Sequence, residues 1–394
     1  MATTDDAPAD TSVPPPSPSP SPSVDEFAER LLAATLGAID LLAVHLGDRL
    51  GWYRALADSG PLTSGALAAT TGTVERYARE WLEQQAASGI LVVADDGAVL
   101  GPPDDPQAAG RARAYALPPA QAEVLTDASS LAYTAPLARF LAAIGPQLPH
   151  LLAAYRTGGG VSWEQLGDDA RQAQAGANRP WFDLRLAPAL AGVPAVHDVL
   201  ARPGARVVDV GCGFGWSTLA LARAYPAARL HGVDVDAPSV AAAREAAARA
   251  GLADRVTFHL ADAAALAAGL GEGPGDAAPF DAAFAFECVH DMPQPVPVLD
   301  AVRRAVRPDG VVVVMDEAVA DELRTPADDV DRLMYGYSLF VCLPDGLSST
   351  PSVGTGTVLR PATLRRYARE AGYSGVEVLP IDDFSFFRFY RLTT

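Results

Sequence analysis

The stretch from Arg206 to Ser217 constrains the fold of this chain more than any other. Arg206 to Val210 is a short, β-branched apolar run, the pattern of a strand buried in a parallel sheet. Gly211, Gly213 and Gly215 follow at once, and Ser217 to Tyr225 then carries Leu219 and Leu221 at helical spacing. Strand, glycine turn and helix form the first unit of a doubly wound α/β sheet, whose ligands sit at the carboxyl ends of the strands. The glycines let backbone pass close to such a ligand where a Cβ would collide with it. A dinucleotide fingerprint would need glycine at 216 to complete G-x-G-x-x-G. The chain has Trp216 there, which argues against pyrophosphate binding.

The alternation of strand and helix continues to the end of the chain. Leu230 to Asp234 reads as a second strand closing on a carboxylate, roughly 20 residues beyond the glycines, where a ribose-binding acid belongs. Asp234 can accept hydrogen bonds from both ribose hydroxyls. Val256 to Leu260 is the third strand, followed by Ala261, Asp262 and Ala263, with Asp262 placed to accept from an adenine exocyclic amine. Phe280 to Phe286 is the fourth, ending in Glu287, Cys288, Val289, His290 and Asp291. Pro297 to Val306 reads as a helix, Arg307 to Gly310 as a turn, and Val311 to Met315 as the fifth strand.

Upstream, the spacing predicts three further segments. Residues 1–23 are rich in Pro, Ser and Asp and carry almost nothing to bury, which predicts disorder. Residues 24–116 read as a winged-helix domain. Val24 to Asp58 holds Phe27, Leu31, Leu32, Leu36, Ile39 and Leu42 at helical spacing, broken near Gly47 to Gly51. Ser64 to Ala69, the turn Thr71 to Thr73, and Val74 to Ser88 make a helix-turn-helix, with a wing from Ile90 to Val93 and Ala98 to Leu100. The second helix of that pair sets Arg76 and Arg79 against Glu75, Glu80 and Glu83, so it is not basic. Residues 117–200 read as a mainly helical linker interrupted by the glycines 158–160, and 201–394 as the α/β domain.

The formal net charge is −18 and every basic residue other than histidine is arginine, so phosphate backbones and anionic lipid repel the chain as a whole. This argues for no nucleic-acid and no membrane partner. No uninterrupted apolar run approaches the ~20 residues of a membrane span. The start of the chain shows no charged n-region with an apolar h-region, so no secretory signal is expected. The three cysteines, Cys212, Cys288 and Cys342, are too scattered for a disulfide framework or a zinc site, which implies a reducing, cytoplasmic setting and no metal.

The acid and G-x-G-x-G that close the first strand resemble motif I of the class I S-adenosylmethionine-dependent methyltransferases. The ordered acids at 234 and 262, and the Arg307 to Gly310 turn before a strand, strengthen that resemblance. The segments FECVHDMPQPVPVLDAVRRAVRPDG, RLMYGYSLFVCLPDGLSSTPSVGTGTVLRPATLRRYAREAGY and VEVLPIDDFSFFRFYRL look like a bacterial subfamily of such enzymes with an N-terminal winged-helix domain. The Val289-His290-Asp291 step is similar to the H-D step of plant-type O-methyltransferases, where the histidine is the general base and the winged-helix domain forms the dimer. That family usually has Trp next, and this chain has Met292 and Pro293, so the substrate wall differs.

The resemblance implies a Rossmann-like class I methyltransferase fold and S-adenosyl-L-methionine as cofactor, S-adenosyl-L-homocysteine being the product. It implies a cofactor set of Asp209, Gly211, Gly213, Gly215, Asp234, Val235, Asp262, Ala263 and Glu287. It also implies a catalytic set of His290 with Asp291 or Glu317 as orienting groups, a small-molecule acceptor with a hydroxyl, and a homodimer. The loop bearing Trp163 either covers the pocket or simply connects domains. Asn178 and Trp181, at what reads as a helix start, would wall a planar substrate. Tyr335 and Tyr337, with Phe340 and Cys342, suggest an apolar lid for an aromatic or polyketide-like acceptor, or an oligomer contact. C- or N-methylation, a transcriptional regulator that senses S-adenosylmethionine and a nucleotide-dependent oxidoreductase are the competing readings. The non-basic helix and Trp216 argue against the last two respectively.

Overall fold

The computed structural model describes residues 21–95, 110–270 and 278–394. The Pro/Ser tail up to residue 20, the wing strand expected at Ala98 to Leu100 and most of the glycine-rich connection after Gly269 lie outside the described residues. From Arg206 onward the chain forms a seven-stranded sheet. Its strands are β4 (Arg206–Val210), β5 (Arg229–Asp234), β6 (Val256–Leu260), β7 (Phe280–Phe286), β8 (Val306–Glu317), β9 (Gly375–Val378) and β10 (Phe387–Thr393). The spatial order is β6-β5-β4-β7-β8-β10-β9. The first five strands run parallel, and β10 runs antiparallel to both β8 and β9. The order reverses between β4 and β7, and at such a switch point the connecting segments part and leave a crevice at the carboxyl ends.

Alternation within each strand sorts two cores. Val207, Phe284 and Phe286 face one layer, whose helices include Trp216–Ala224 and Ala237–Arg249, while Val208, Val210 and Ala285 face the other, against Pro295–Ala305 and Pro361–Glu370. Every residue of β7 is buried, as expected of a central parallel strand covered on both faces. The sheet is closely packed where β5 meets β6. A Cβ added at Gly232 would stand 2.3 Å from the Phe258 ring and 2.8 Å from Cys212 Sγ.

Ahead of the sheet lies a winged helix-turn-helix. Its helices are Trp52–Ser59, Ser64–Thr71 and Glu75–Ala87, and its three strands are β1 (Leu62–Thr63), β2 (Val92–Asp95) and β3 (Ala114–Ala116), in the order β1-β3-β2. Trp52 and Tyr53 pack on Trp81 with ring centroids 4.8 and 5.0 Å apart. The described partner of β2 is β3, so the wing closes through Ala114–Ala116. Arg76 pairs with Glu80 and Arg79 with Glu75, leaving the second helix of the motif with self-neutralised charge.

One expectation changes. Val24–Arg49 forms a single helix of 26 residues, the one described helix long and apolar enough to cross a membrane. Counting consecutive apolar residues hides this, because Asp40 and Asp48 interrupt the run without interrupting the helix. Every residue from Ser23 to Ile39 is exposed, and Val44 and Gly47 are the buried ones.

Replacing Gly232 with Ala overpacks the β5–β6 seam and should cost about 1–3 kcal/mol. Thermal unfolding should show a lowered Tm. An unchanged Tm would mean that the Phe258 ring moves aside freely.

Candidate active site

A cavity of about 660 Å³ opens at the carboxyl ends of β4, β5, β7 and β8. Its floor begins with the glycine turn. Gly211 (φ 67°) and Gly213 (φ 50°) adopt left-handed backbone that an L side chain resists. Nothing lies within 4 Å of where a Cβ of Gly213 would sit, so that glycine leaves space on the cavity wall. Gly215 serves a different purpose, because a Cβ there would strike Phe258 at 2.5 Å. It allows close packing of helix on sheet and does not line the cavity. Asp209 also lies behind the turn. Its Oδ2 accepts from Ser217 Oγ and Thr218 Oγ1, both at 2.6 Å, fastening the next helix to β4. Burial pushes that carboxyl up to about 6 against the pull of the two hydroxyls.

Asp234 closes β5 at the wall. Its oxygens accept from Gly213 N and Asp236 N at 2.8 Å each, while burial raises its carboxyl above the ordinary range. Val235, Asp262 and Ala263 line the same side. Asp262 Oδ1 accepts from Ala264 N at 2.8 Å, which holds its carboxylate at the tip of β6.

The roof is the helix Trp163–Trp181. Ser162 and Gln165 form a capping box at its start, and Gly167 (φ 77°) bends it. Four ties hold it down. Trp163 N donates to Asp345 Oδ1 at 2.7 Å, and Arg171 grips Asp236 through Nε and Nη2, both at 2.8 Å. Gln174 donates to Glu287 at 2.8 Å, and Asn178 donates to the other oxygen of the same carboxylate. Glu287 sits at φ 52°, a left-handed conformation costing a non-glycine residue about 1–3 kcal/mol, at the first position after β7. Burial raises its carboxyl to about 7 although both amides and His290 stabilise the charge.

His290 lies at the carboxyl end of β7, 2% exposed and on the cavity wall. Its Nδ1 is 2.9 Å from Asp316 Oδ1 and 3.2 Å from Glu317 Oε2, and its Nε2 is 3.3 Å from Asp291 Oδ1. Burial opposes charge on the ring, but Asp291, Glu317 and Asp316 outweigh it and hold the imidazole well above the ordinary histidine value. Glu317 is raised as well, chiefly by burial. Donor atoms of His290, Asp291 and Cys342, and of His290, Asp316 and Glu317, form two groups with spacings within 4.8 Å, so the residue types that bind a divalent cation are present.

The structure thus brings together on one cavity Gly211, Gly213, Asp234, Val235, Asp262, Ala263, Glu287, His290, Asp291, Glu317, Trp163, Asn178 and Tyr337. It places Trp181 and Tyr335 elsewhere. Asn178 and Trp181 end the roof helix and do not start one, and at that position Trp181 packs on Phe384 at 5.7 Å. The Tyr335 hydroxyl accepts from Arg360 Nη2 at 3.0 Å, away from the cavity. Sequence reading missed Asp316, Asp345 and the Arg171–Asp236 pair. The Asp316-Glu317 doublet closing a strand was a legible signal for the first, whereas the other two depend on contacts across more than sixty residues of chain.

Residues 207–310 match the family described as methyltransferase domain, and residues 37–99 match the Rv2258c-like winged HTH domain. The ubiquinone biosynthesis O-methyltransferase of Methylococcus capsulatus is 30% identical over 193 residues, which cover 47% of this chain and 71% of that protein. The chain belongs to the S-adenosylmethionine-dependent methyltransferases. The mitomycin biosynthesis 6-O-methyltransferase of Streptomyces lavendulae is 33% identical over 229 residues, 56% of this chain and 59% of that protein. The chain spans from 25% to 59% of the length of the first five curated relatives it matches. Among solved structures, the mitomycin 7-O-methyltransferase MmcR gives a TM-score of 0.66 at 23% identity, covering 94% of this chain and 98% of that one. Human N-acetylserotonin methyltransferase in complex with SAM gives 0.65 at 17% identity, covering 95% and 99%. Those two likenesses establish the fold.

The crevice suits the family's cofactor. Open space beside Gly213 admits a backbone-hugging ligand, and the raised, wall-lining carboxyl of Asp234 suits a pair of hydroxyl donors. Removing a charged acceptor from such a pair loses about 1.5–3 kcal/mol, roughly 10- to 150-fold in affinity. Asp234→Ala should weaken S-adenosylhomocysteine binding by that factor in isothermal titration. Retention of full affinity would place the nucleoside elsewhere.

Proposed function

We propose that this methyltransferase transfers a methyl group to a hydroxyl of a small aromatic or polyketide-like molecule, with His290 as general base. The observation that carries this reading is the imidazole itself, which lines the cavity while its Nδ1 edge is held by Asp316 and Glu317. When bound, S-adenosylmethionine supplies the electrophilic methyl. Gly211, Gly213, Asp234, Asp262, Ala263 and Val235 hold the cofactor, and Glu287 shapes the junction between crevice and acceptor space. Two pieces of work then fall to the chain. The roof helix and the Ser338–Thr357 segment hold the acceptor in line, and orientation of this kind supplies up to roughly 7–11 kcal/mol of the barrier. His290 takes the hydroxyl proton on Nε2, the ring edge bordered by Asp291, while its Nδ1–H donates to Asp316; Asp291 stabilises the imidazolium that results. Asp316 and Glu317 are positioning residues in this scheme, and they also raise the basicity of the ring.

That basicity sets the pH dependence. A raised pKa means that the resting ring is protonated below it and becomes a competent base only as pH rises through it. Turnover should therefore climb along an acid limb that lies above the ordinary histidine value of about 6.5. His290→Ala should reduce turnover by ~10²–10⁴ and abolish that limb. Asp316→Asn, which removes one charge-stabilising carboxylate, should move the limb to lower pH. A His290→Ala enzyme with normal turnover and an unchanged profile would point to an amine or carbon acceptor that needs no base here.

We also propose that the long first helix is covered by a second copy of the chain. Phe27, Leu31, Leu32, Leu36 and Ile39 are 49–60% exposed along its outer half. An isolated apolar helix is marginal in water without tertiary packing, and a patch this large on one protein marks an interface. Two copies pairing the same face would bury it on both at once. The self-paired arginines of the Glu75–Ala87 helix favour this role over DNA contact. Light scattering should report a dimer for the intact protein and a monomer after Leu32→Glu with Leu36→Glu. Persistence of the dimer in that variant would assign pairing to another face.

A further inference from the structure

The acceptor end of the cavity carries an unusual charge pattern. The wall holds Glu287, Asp291, Glu317 and Asp345 on that side, and the only basic side chains on the described wall are Arg171 and His290. Neither is available to an incoming anion. Arg171 spends both edges of its guanidinium on Asp236 and Asp168, and His290 stands among three carboxylates. A carboxylate or phosphate on the acceptor would meet these acids with no uncommitted cation on the described wall to answer it. The same cavity is lined by an aromatic corner. Phe140 meets Tyr337 edge to face with centroids 5.2 Å apart, and Trp163 lies 6.3 Å from the same Phe140 ring. Asp345 borders this corner, because one of its oxygens accepts from the backbone of Trp163 itself.

We infer that Phe140, Trp163 and Tyr337 together with Asp345 form a subsite for an aliphatic ammonium group carried by the acceptor. Aromatic faces attract a cation through the ring quadrupole, the more so when water is excluded, and a carboxylate at the edge supplies the directional partner. The acceptor is then an amine-bearing hydroxyl compound, its cationic end in the corner and its hydroxyl toward His290. This specificity rests on the reading of the cavity as an acceptor site. Burial and the neighbouring Asp291 raise the Asp345 carboxyl to about 7, as befits an acid with no cation beside it.

Three catechols of matched shape test this: dopamine, ethylcatechol and dihydroxyphenylpropionate, which carry a positive, a neutral and a negative tail. Each is titrated calorimetrically into the full-length protein loaded with S-adenosylhomocysteine. Dopamine should bind at least about tenfold more tightly than ethylcatechol, and the propionate more weakly than both. Asp345→Asn keeps an oxygen to accept from Trp163 N, so the roof stays capped, and it should bring dopamine down to the affinity of ethylcatechol. Equal affinities, a preference for the propionate, no binding of dopamine, or an undiminished preference in Asp345→Asn would each overturn the subsite. Transfer of labelled methyl is followed in parallel. Methylation of ethylcatechol without any charge preference would remove the subsite and leave the O-methyl transfer reading intact. A dopamine preference in binding with no label transferred to any catechol would do the reverse.

Discussion

The edge of this sheet depends on burying carboxylates without leaving them unsatisfied. A buried carboxylate is costly unless it is hydrogen-bonded or paired, and this chain sets one near the end of four of its five parallel strands, Asp262 after β6 being exposed. Each is answered differently. Asp209 is held by two hydroxyls, Asp234 by two backbone amides, Glu287 by two side-chain amides, and Asp316 by an imidazole. The partners come from the glycine turn, the roof helix and the neighbouring strand, so satisfying the acids is the same act as assembling the crevice. Burial raises the proton affinities of Asp209, Asp234 and Glu287, and the donors around each of them oppose it by stabilising the charge.

How much of this was legible in the sequence follows from the range of each interaction. Strand β4, its glycines and the acids ending β5 and β6 are local patterns, so the sheet order at the switch point could be anticipated from spacing alone. His290 was found because it stands four residues past a buried strand, in an H-D step similar to that of plant-type O-methyltransferases. Asp316 escaped because alternation along β8 was read only as far as Met315, although the next residue points to the layer that holds His290. Trp181 and Tyr335 were drawn to the cavity by residue type. Their neighbours were decided by helix phase, which turns Asn178 inward and leaves Trp181 against Phe384. Asp236 shows the limit most plainly. It reads as an ordinary helix cap, and only the fold brings Arg171 to it.

The first helix illustrates a different limit. Its apolar face was visible as spacing, but the sequence does not say whether such a face meets its own core or another molecule. The structure answers half of that, since the winged-helix core closes on Trp52, Tyr53 and Trp81 without drawing in the helix's outer half.

The grip of Arg171 on Asp236 has a kinetic meaning. Asp236 lies two residues past the acid that ends β5, and Arg171 lies on the roof, so one bidentate pair bolts the lid to the rim of the nucleoside crevice. Opening the roof parts a guanidinium and a carboxylate that are both largely shielded from water, and such separations are slow compared with side-chain rotation and insensitive to moderate salt. An opening of the roof has to break this ion pair together with the hydrogen bonds of Trp163, Gln174 and Asn178, so how long a ligand stays in the crevice is a property of those four ties as much as of the floor beneath them.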